Sequence, residues 1–220
     1  MALLSFAKAG GGAGGTTGNI DTTGATIIVA VTVGDSGSSA PSDSQGNTWT
    51  TGASLVGGSF PTFHKSRIYW IANPTTSAAH NFTIAATNGA IVVAAFDGTV
   101  TPAVKLAEAG AQNLGASSSS GGSVSPTGTD LVVSSLGMEA AFTPTIGSSF
   151  TIADSQTYVG GTSYGCALAY KYSASAENPA WSLGASRDTT AINIVFQGTG
   201  GGGGGSIVPL VAHQYRQRRA

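Results

Sequence analysis

The sequence predicts an all-β protein: a single antiparallel β-sandwich, jelly-roll-like, of about ten strands. Three observations predict it. Short runs of β-branched and aromatic residues recur between clusters of Gly, Pro, Asn, Ser and Thr. No segment sustains a 3.6-residue apolar period with helix caps at its ends. Only 9% of residues are charged and the net charge is −1, so a chain with this many β-branched residues is expected to fold rather than stay disordered.

The first strand is expected over residues 27–33, where Ile27, Val29, Val31 and Val33 interleave with Ile28, Ala30 and Thr32. Residues 67–71, 80–84 and 90–96 predict the next three, each bounded by turn-forming residues such as Pro74, Asn73 and Gly98. Further strands are expected at 130–136, 150–152, 165–172, 180–183 and 191–196. The Gly/Ser-rich stretches 10–15, 34–39 and 117–123 are expected to be loops.

The chain also aligns with itself. Residues 6–10 match 106–110, and 89–98 match 189–198, both at an offset of 100. Between these ends, residues 24–29 align with 128–133, Asp43-Ser44-Gln45 with Asp154-Ser155-Gln156, and Phe82-Thr83-Ile84 with Trp181-Ser182-Leu183. Two internally repeated halves, about 1–100 and 101–199, are therefore expected to build one sandwich domain over residues 1–199. Phe6, Trp70, Phe82, Phe96, Leu106, Leu168, Trp181 and Phe196 are the expected core between its sheets.

Beyond the body, residues 200–206 form a Gly-rich linker and 207–220 a C-terminal arm. The arm carries Arg216, Arg218 and Arg219, so the −1 balance divides into a +3 arm and a −4 body. Ile207, Val208, Leu210, Val211 and Tyr215 are candidates to fill grooves on a partner, with Arg216, Arg218 and Arg219 pairing with carboxylates there. A solvated tail is the competing reading of the arginines.

Chemistry has little to work with. His64, His80 and His213 show no metal-ligand spacing, and surface or edge hydrogen bonding is the expected role of each. The serines lack a GxSxG elbow, and Glu108, Glu139 and Glu177 suggest no carboxylate pair. Asp43-Ser44-Gln45-Gly46-Asn47-Thr48-Trp49 offers a calcium reading, against an Asx-type turn leading into a strand that buries Trp49; the turn is favoured. Cys166, the single cysteine, reads as a small core hydrophobe. No enzyme activity, cofactor or metal is expected. Nine basic residues against ten acidic ones exclude a bulk electrostatic nucleic-acid binder. Nothing in the first residues resembles a signal peptide, and no apolar run is long enough for a membrane helix. Synthesis in a host cytoplasm is expected.

Asp43…Gly46-Asn47-Thr48-Trp49, Arg67-Ile68-Tyr69-Trp70-Ile71-Ala72-Asn73-Pro74, His80-Asn81-Phe82-Thr83-Ile84 and Val92-Val93-Ala94-Ala95-Phe96-Asp97-Gly98 together resemble a group of β-sandwich proteins encoded by tailed bacteriophages and environmental bacteria. The resemblance covers roughly residues 1–200. It implies a jelly-roll-like virion surface component or adhesive module, and it carries no site residues over. The expectation is a non-enzymatic virion structural protein, a capsid decoration or tail-fibre component, that forms a homo-oligomer, a trimer being the guess, and contacts other virion proteins. The alternative is a carbohydrate-binding module recognising host-surface glycans, with Trp49, Phe60, Phe63, Tyr158 and Tyr164 as candidate contacts.

Overall fold

The computed structural model describes residues 1–11, 15–34, 39–58, 64–85, 88–139, 142–158 and 164–200. Among them the chain forms β-strands and no helix: β1 (Leu3–Gly11), β2 (Gly15–Thr16), β3 (Ile27–Gly34), β4 (Ser42–Asp43), β5 (Thr50–Gly57), β6 (His64–Ile71), β7 (Phe82–Ile84), β8 (Gly89–Phe96), β9 (Lys105–Ser120), β10 (Asp130–Met138), β11 (Thr145–Ile146), β12 (Thr151–Tyr158), β13 (Tyr164–Ser173) and β14 (Ala180–Phe196). Every pairing is antiparallel.

Two large sheets follow one strand order. The first is β1-β8-β3-β6-β5, and the second runs β9-β14-β10-β13-β12. Each is drawn wholly from one half of the chain. Beside the first lies a small sheet, β2-β7-β4; in the second half the far ends of β9 and β14, with β11, make the same three-strand arrangement. Pairing registers agree in detail. Ser42 faces Thr83 and Asp43 faces Phe82, while Thr145 faces Ser182 and Ile146 faces Trp181. An extra residue bulges from β1 at Leu4, opposite Phe96, and from β9 at Leu106, opposite Phe196.

The burial pattern explains the sequence runs. β3, β8 and β10 are buried at every position; β3 and β8 are apolar on both faces apart from Thr32 and read as continuous runs rather than alternations, while β10 also buries Asp130, Ser134 and Ser135. One face of β3 (Ile27, Val29, Val31, Val33) joins Ile68, Trp70, Val92 and Phe96 in a cluster that also draws Leu131, Val133, Leu168, Ile192, Ile194 and Phe196 from the second sheet. The opposite faces are capped separately. Phe82 and Ile84 of the small sheet cover Ile28, Ala30, Tyr69, Ile71 and Ile91. Trp181 and Leu183 cover Val132, Leu136, Ala167, Ala169 and Val195. Each fully buried Val, Ile or Phe in these layers contributes about 1.5–3 kcal/mol by leaving water.

Several sequence expectations are corrected by this arrangement. Phe6 is not core: it is 47% exposed on the edge strand β1. Phe82 and Trp181 are buried on the outer faces of the large sheets, not between them, and Leu106 is only partly buried there. The match of residues 6–10 to 106–110 is out of pairing register, since Phe6 lies opposite Ala94 whereas Glu108 lies opposite Ile194. Asp43 and Asp154 are not counterparts either, because Asp43 is in β4 and Asp154 is in β12, beside β13. The segments 180–183 and 191–196 are one strand, β14, with register shifts between Ser182 and Thr189. Ser117–Ser120 belong to β9, and Gly10 and Gly11 to β1, so these are not loop residues.

Close packing makes some glycines necessary. A Cβ on Gly137 would sit 2.6 Å from Ser66 Cβ and 2.6 Å from Thr190 Oγ1, all in the buried interior. Gly137→Ala is therefore expected to cost about 1–3 kcal/mol through overpacking. The urea midpoint checks it, and an unshifted midpoint would mean the neighbours can give way.

Candidate functional site

Three places concentrate polar chemistry, and each is set by strand pairing rather than by local sequence. The first is built on His80. Its backbone N–H and C=O both pair with Ile20, which fixes the residue just ahead of β7, and its ring stacks on Phe82 at 4.3 Å. The ring Nε2 lies 2.9 Å from Asp43 Oδ1, and Nδ1 lies 3.0 Å from Thr22 Oγ1. A carboxylate can only accept, so Nε2 donates to Asp43, while the Thr22 hydroxyl, which donates to the Ser77 carbonyl, faces Nδ1 with its oxygen. Hydroxyl, imidazole and carboxylate are the parts of a nucleophilic relay. Solvent, however, does not reach Thr22 or His80, and the Thr22 hydroxyl oxygen is already in hydrogen-bond contact with the Ser77 backbone N–H and C=O.

Asp43 Oδ1 also accepts from Gln45 N at 2.9 Å and from Asn47 Nδ2 at 3.0 Å, with Gly46 at φ +68°. This is the Asx-type turn expected from the sequence. The Trp49 ring packs edge-on against Phe82 at 6.0 Å. The network thus ties the segments around residues 22, 43–47 and 77–80 into one buried knot. His80 is fully buried, so the hydrogen bonding expected of it at the surface or a sheet edge is made in the interior instead.

The second place lies between the sheets at the start of β6. His64 and Ser66 come from β6 and Thr190 from β14; Ser66 Oγ and Thr190 Oγ1 are 2.5 Å apart, and His64 Nε2 is 3.4 Å from Thr190 Oγ1. His64 is fully buried, another departure from the expected surface role. Burial drives its pKa down to about 4, against smaller upward pulls from the Gly137 backbone and the Asp188 charge. Glu139, which shares Asp188 with His64 as a charged neighbour, moves the other way: burial and Asp188 raise its carboxyl above the ordinary range, and Arg187 opposes them. Arg187 lies over the Phe142 ring at 5.9 Å.

The third consists of two seams, where an edge strand of one sheet lies over an edge strand of the other. At the β5/β9 seam, Glu108 accepts from the Ala53 N–H and from Lys105 Nζ at 2.7 Å, and the Lys105 ammonium sits 5.6 Å from the Trp70 ring centre. At the β1/β12 seam, Lys8 Nζ donates to Asp154 Oδ1 at 2.8 Å and to the Ser155 carbonyl at 3.0 Å. Asp154 stands at a bulge in β12, which turns its carboxylate toward β1. The positions differ in one respect. Counted from the Leu4 and Leu106 bulges, Glu108 corresponds to Phe6, so a paired carboxylate at one seam is matched by an exposed ring at the other.

The remaining sequence candidates fall as follows. Ile207, Val208, Leu210, Val211, Tyr215, Arg216, Arg218 and Arg219 lie outside the described residues, as does His213. So do Phe60 and Phe63, and the Tyr158 side chain. Tyr164 is buried in the inter-sheet cluster. Cys166 is buried there too, and burial pushes its thiol pKa far up, in keeping with a core role. Glu177 is buried beside β13: burial alone would raise its pKa, but hydrogen bonds from Lys171 and Ser173 outweigh that and hold it low. Neither the Asp43–His80 link nor the Ser66–Thr190 link carries a sequence signal, because the partners are 37 and 124 residues apart.

Comparison with family models, curated proteins and solved structures gives no match.

Proposed function

We propose that the chain is a non-enzymatic structural protein of a bacteriophage particle, a capsid decoration or tail-fibre component, whose β-rich body is displayed on the virion. In this reading the C-terminal arm docks on a neighbouring subunit of a homo-oligomer. The carrying observation is the division of charge, a +3 arm joined to a −4 body through a glycine run. The body supports the reading in a second way. His64 and His80 are enclosed in packing and hydrogen-bond networks that hold strands and turns together.

The finer fold reading belongs here as well. We take the body as a sandwich of two duplicated halves. Their common strand order, the equivalent Asp43–Phe82 and Ile146–Trp181 pairings, and the bulges at Leu4 and Leu106 support it. Its jelly-roll-like character has one qualification: each sheet is contiguous in sequence rather than interleaved. For the glycan alternative, Trp49 and Tyr164 are engaged in packing, so neither favours it.

Removal of residues 201–220 is expected to abolish self-association in sedimentation and incorporation into particles, while the thermal melt of the body stays unchanged. Incorporation at the full-length level would overturn the docking role of the arm.

A further inference from the structure

We propose that residues 207–211 of a neighbouring copy add as a strand to the free edge of β1, packing beside Leu4 and Phe6. The inference rests on the docking role given to the arm above and names its acceptor.

β1 ends its sheet and, among the described residues, pairs along its length only with β8, so its outer backbone groups are available to a further strand. Its side chains are unusually apolar for such an edge: Leu4 is 39% exposed and Phe6 47%, and Met1, just ahead of the strand, is 41% exposed. The corresponding edge of the second sheet is finished differently, with Glu108 held by Lys105 and the Ala53 N–H. Natural edges are usually blunted by charge, and β1 lacks that protection until Lys8. Strand addition would cover the apolar side chains and pair the backbone in one step.

The chain leaves the body beside this edge. Thr199 N–H donates to the Gly98 carbonyl at 2.8 Å, and a Cβ on Gly198 would lie 3.0 Å from the Met1 Sδ and Cε atoms. From there residues 200–206 can span up to about 23 Å. In the docking role given to the arm above, that tether delivers it to the β1 edge of an adjacent copy. Ile207, Val208, Leu210 and Val211 supply the apolar side chains; Pro209 is tolerated on an added edge strand, where one missing N–H faces outward. Two carboxylates flank the acceptor: Asp97 accepts from the Ala2 N–H, and Asp21 has its backbone carbonyl bonded to the Ser5 hydroxyl. Asp97 already lies 3.5 Å from the N-terminal ammonium, so Asp21 is the carboxylate left to give the arginines that follow, Arg216, Arg218 and Arg219, complementary charge.

Disulfide trapping in the full-length protein tests the proposal. Cys166 is fully buried and does not compete. Phe6→Cys and Leu210→Cys variants, mixed and mildly oxidised, should form a covalent heterodimer at about tenfold the yield of a Leu114→Cys plus Leu210→Cys mixture, reflecting the raised effective concentration at a docked site. Equal yields would overturn it. So would a Phe6→Cys/Leu210→Cys double variant that closes only within single chains, since the arm would then lie on its own edge. Phe6→Asp and Leu210→Asp separate this inference from the one beneath it. Both should abolish self-association. Loss with Leu210→Asp alone would overturn the β1 acceptor and leave the arm's docking role standing; loss with neither would overturn both.

Discussion

Acidification from pH 7 to pH 4 is expected to remove about 3 kcal/mol of folding stability through His64 alone. The imidazole is fully buried beside Thr190 and Gly57, with no counter-ion in contact among the described residues, and burial lowers its pKa from the ordinary 6.5 to about 4. In the unfolded chain it takes up a proton near 6.5. Its contribution is therefore fully present above pH 6.5, declines as the pH falls, and is gone once the pH is below 4. Asp21 and Glu177 act in the same direction at lower pH, because both carboxyls are held below their ordinary range in the fold. Glu139 acts in the opposite direction, its raised pKa favouring the folded state in acid. Denaturant titrations of the native protein and of His64→Gln, taken at intervals from pH 7 to 4, separate these terms. Gln keeps a hydrogen-bonding group near Thr190 but cannot titrate, so the variant should lose most of the slope between pH 6.5 and 4. An unchanged slope would place the acid sensitivity elsewhere.

Trp181→Ala is expected to cost about 3–5 kcal/mol, the range for removing a large aromatic from a packed interior. Trp181 is fully buried in the layer over Val132, Leu136 and Ala169, and its Nε1–H donates to Ser134 Oγ at 2.9 Å. Trp181→Phe should cost less, about 1–3 kcal/mol, chiefly by leaving the Ser134 hydroxyl without its donor. Phe6→Ala is the natural contrast. Its ring is 47% exposed on an edge strand, so the isolated body should lose no more than about 0.5 kcal/mol. Denaturant midpoints for the three variants test the order. Comparable losses for Phe6→Ala and Trp181→Ala would contradict the burial described for both.

The contrast between Phe6 and Trp181 also shows what the amino-acid order discloses. Strands buried on both faces announce themselves where both faces are apolar: β3 and β8 are runs of Ile, Val and Ala that no turn interrupts, whereas β10 interposes Ser134 and Ser135. Edge strands do not. Thr50–Gly57 and Lys105–Ser120 are rich in Gly, Ala, Ser and Thr, and backbone pairing, which is nearly blind to side chains, holds them. That is why three edge strands, β1, β5 and β9, have no clear signature. Aromatic residues declare that they are buried, but not in which layer, since a second apolar layer covers each large sheet and period-two alternation cannot tell inner from outer. The polar clusters are further still from legible. His80 meets Asp43 because β4 pairs with β7, and Ser66 meets Thr190 because two sheets from different halves overlie one another.

The strand order has a consequence for the making of the chain. Among the described residues β1 pairs only with β8, so Leu3 must wait for Phe96, and β9 likewise waits for β14, Lys105 for Phe196. By contrast, β5 and β6 are neighbours in sequence and form a hairpin without delay. On the ribosome, the segment that holds Leu4 and Phe6 therefore stays without its partner while some eighty further residues are added. Such long closures slow folding and prolong the exposure of sticky segments. The strand proposed above as the acceptor of the arm is thus also one that stays long without its own partner during synthesis, a period when a holdase chaperone has much to protect.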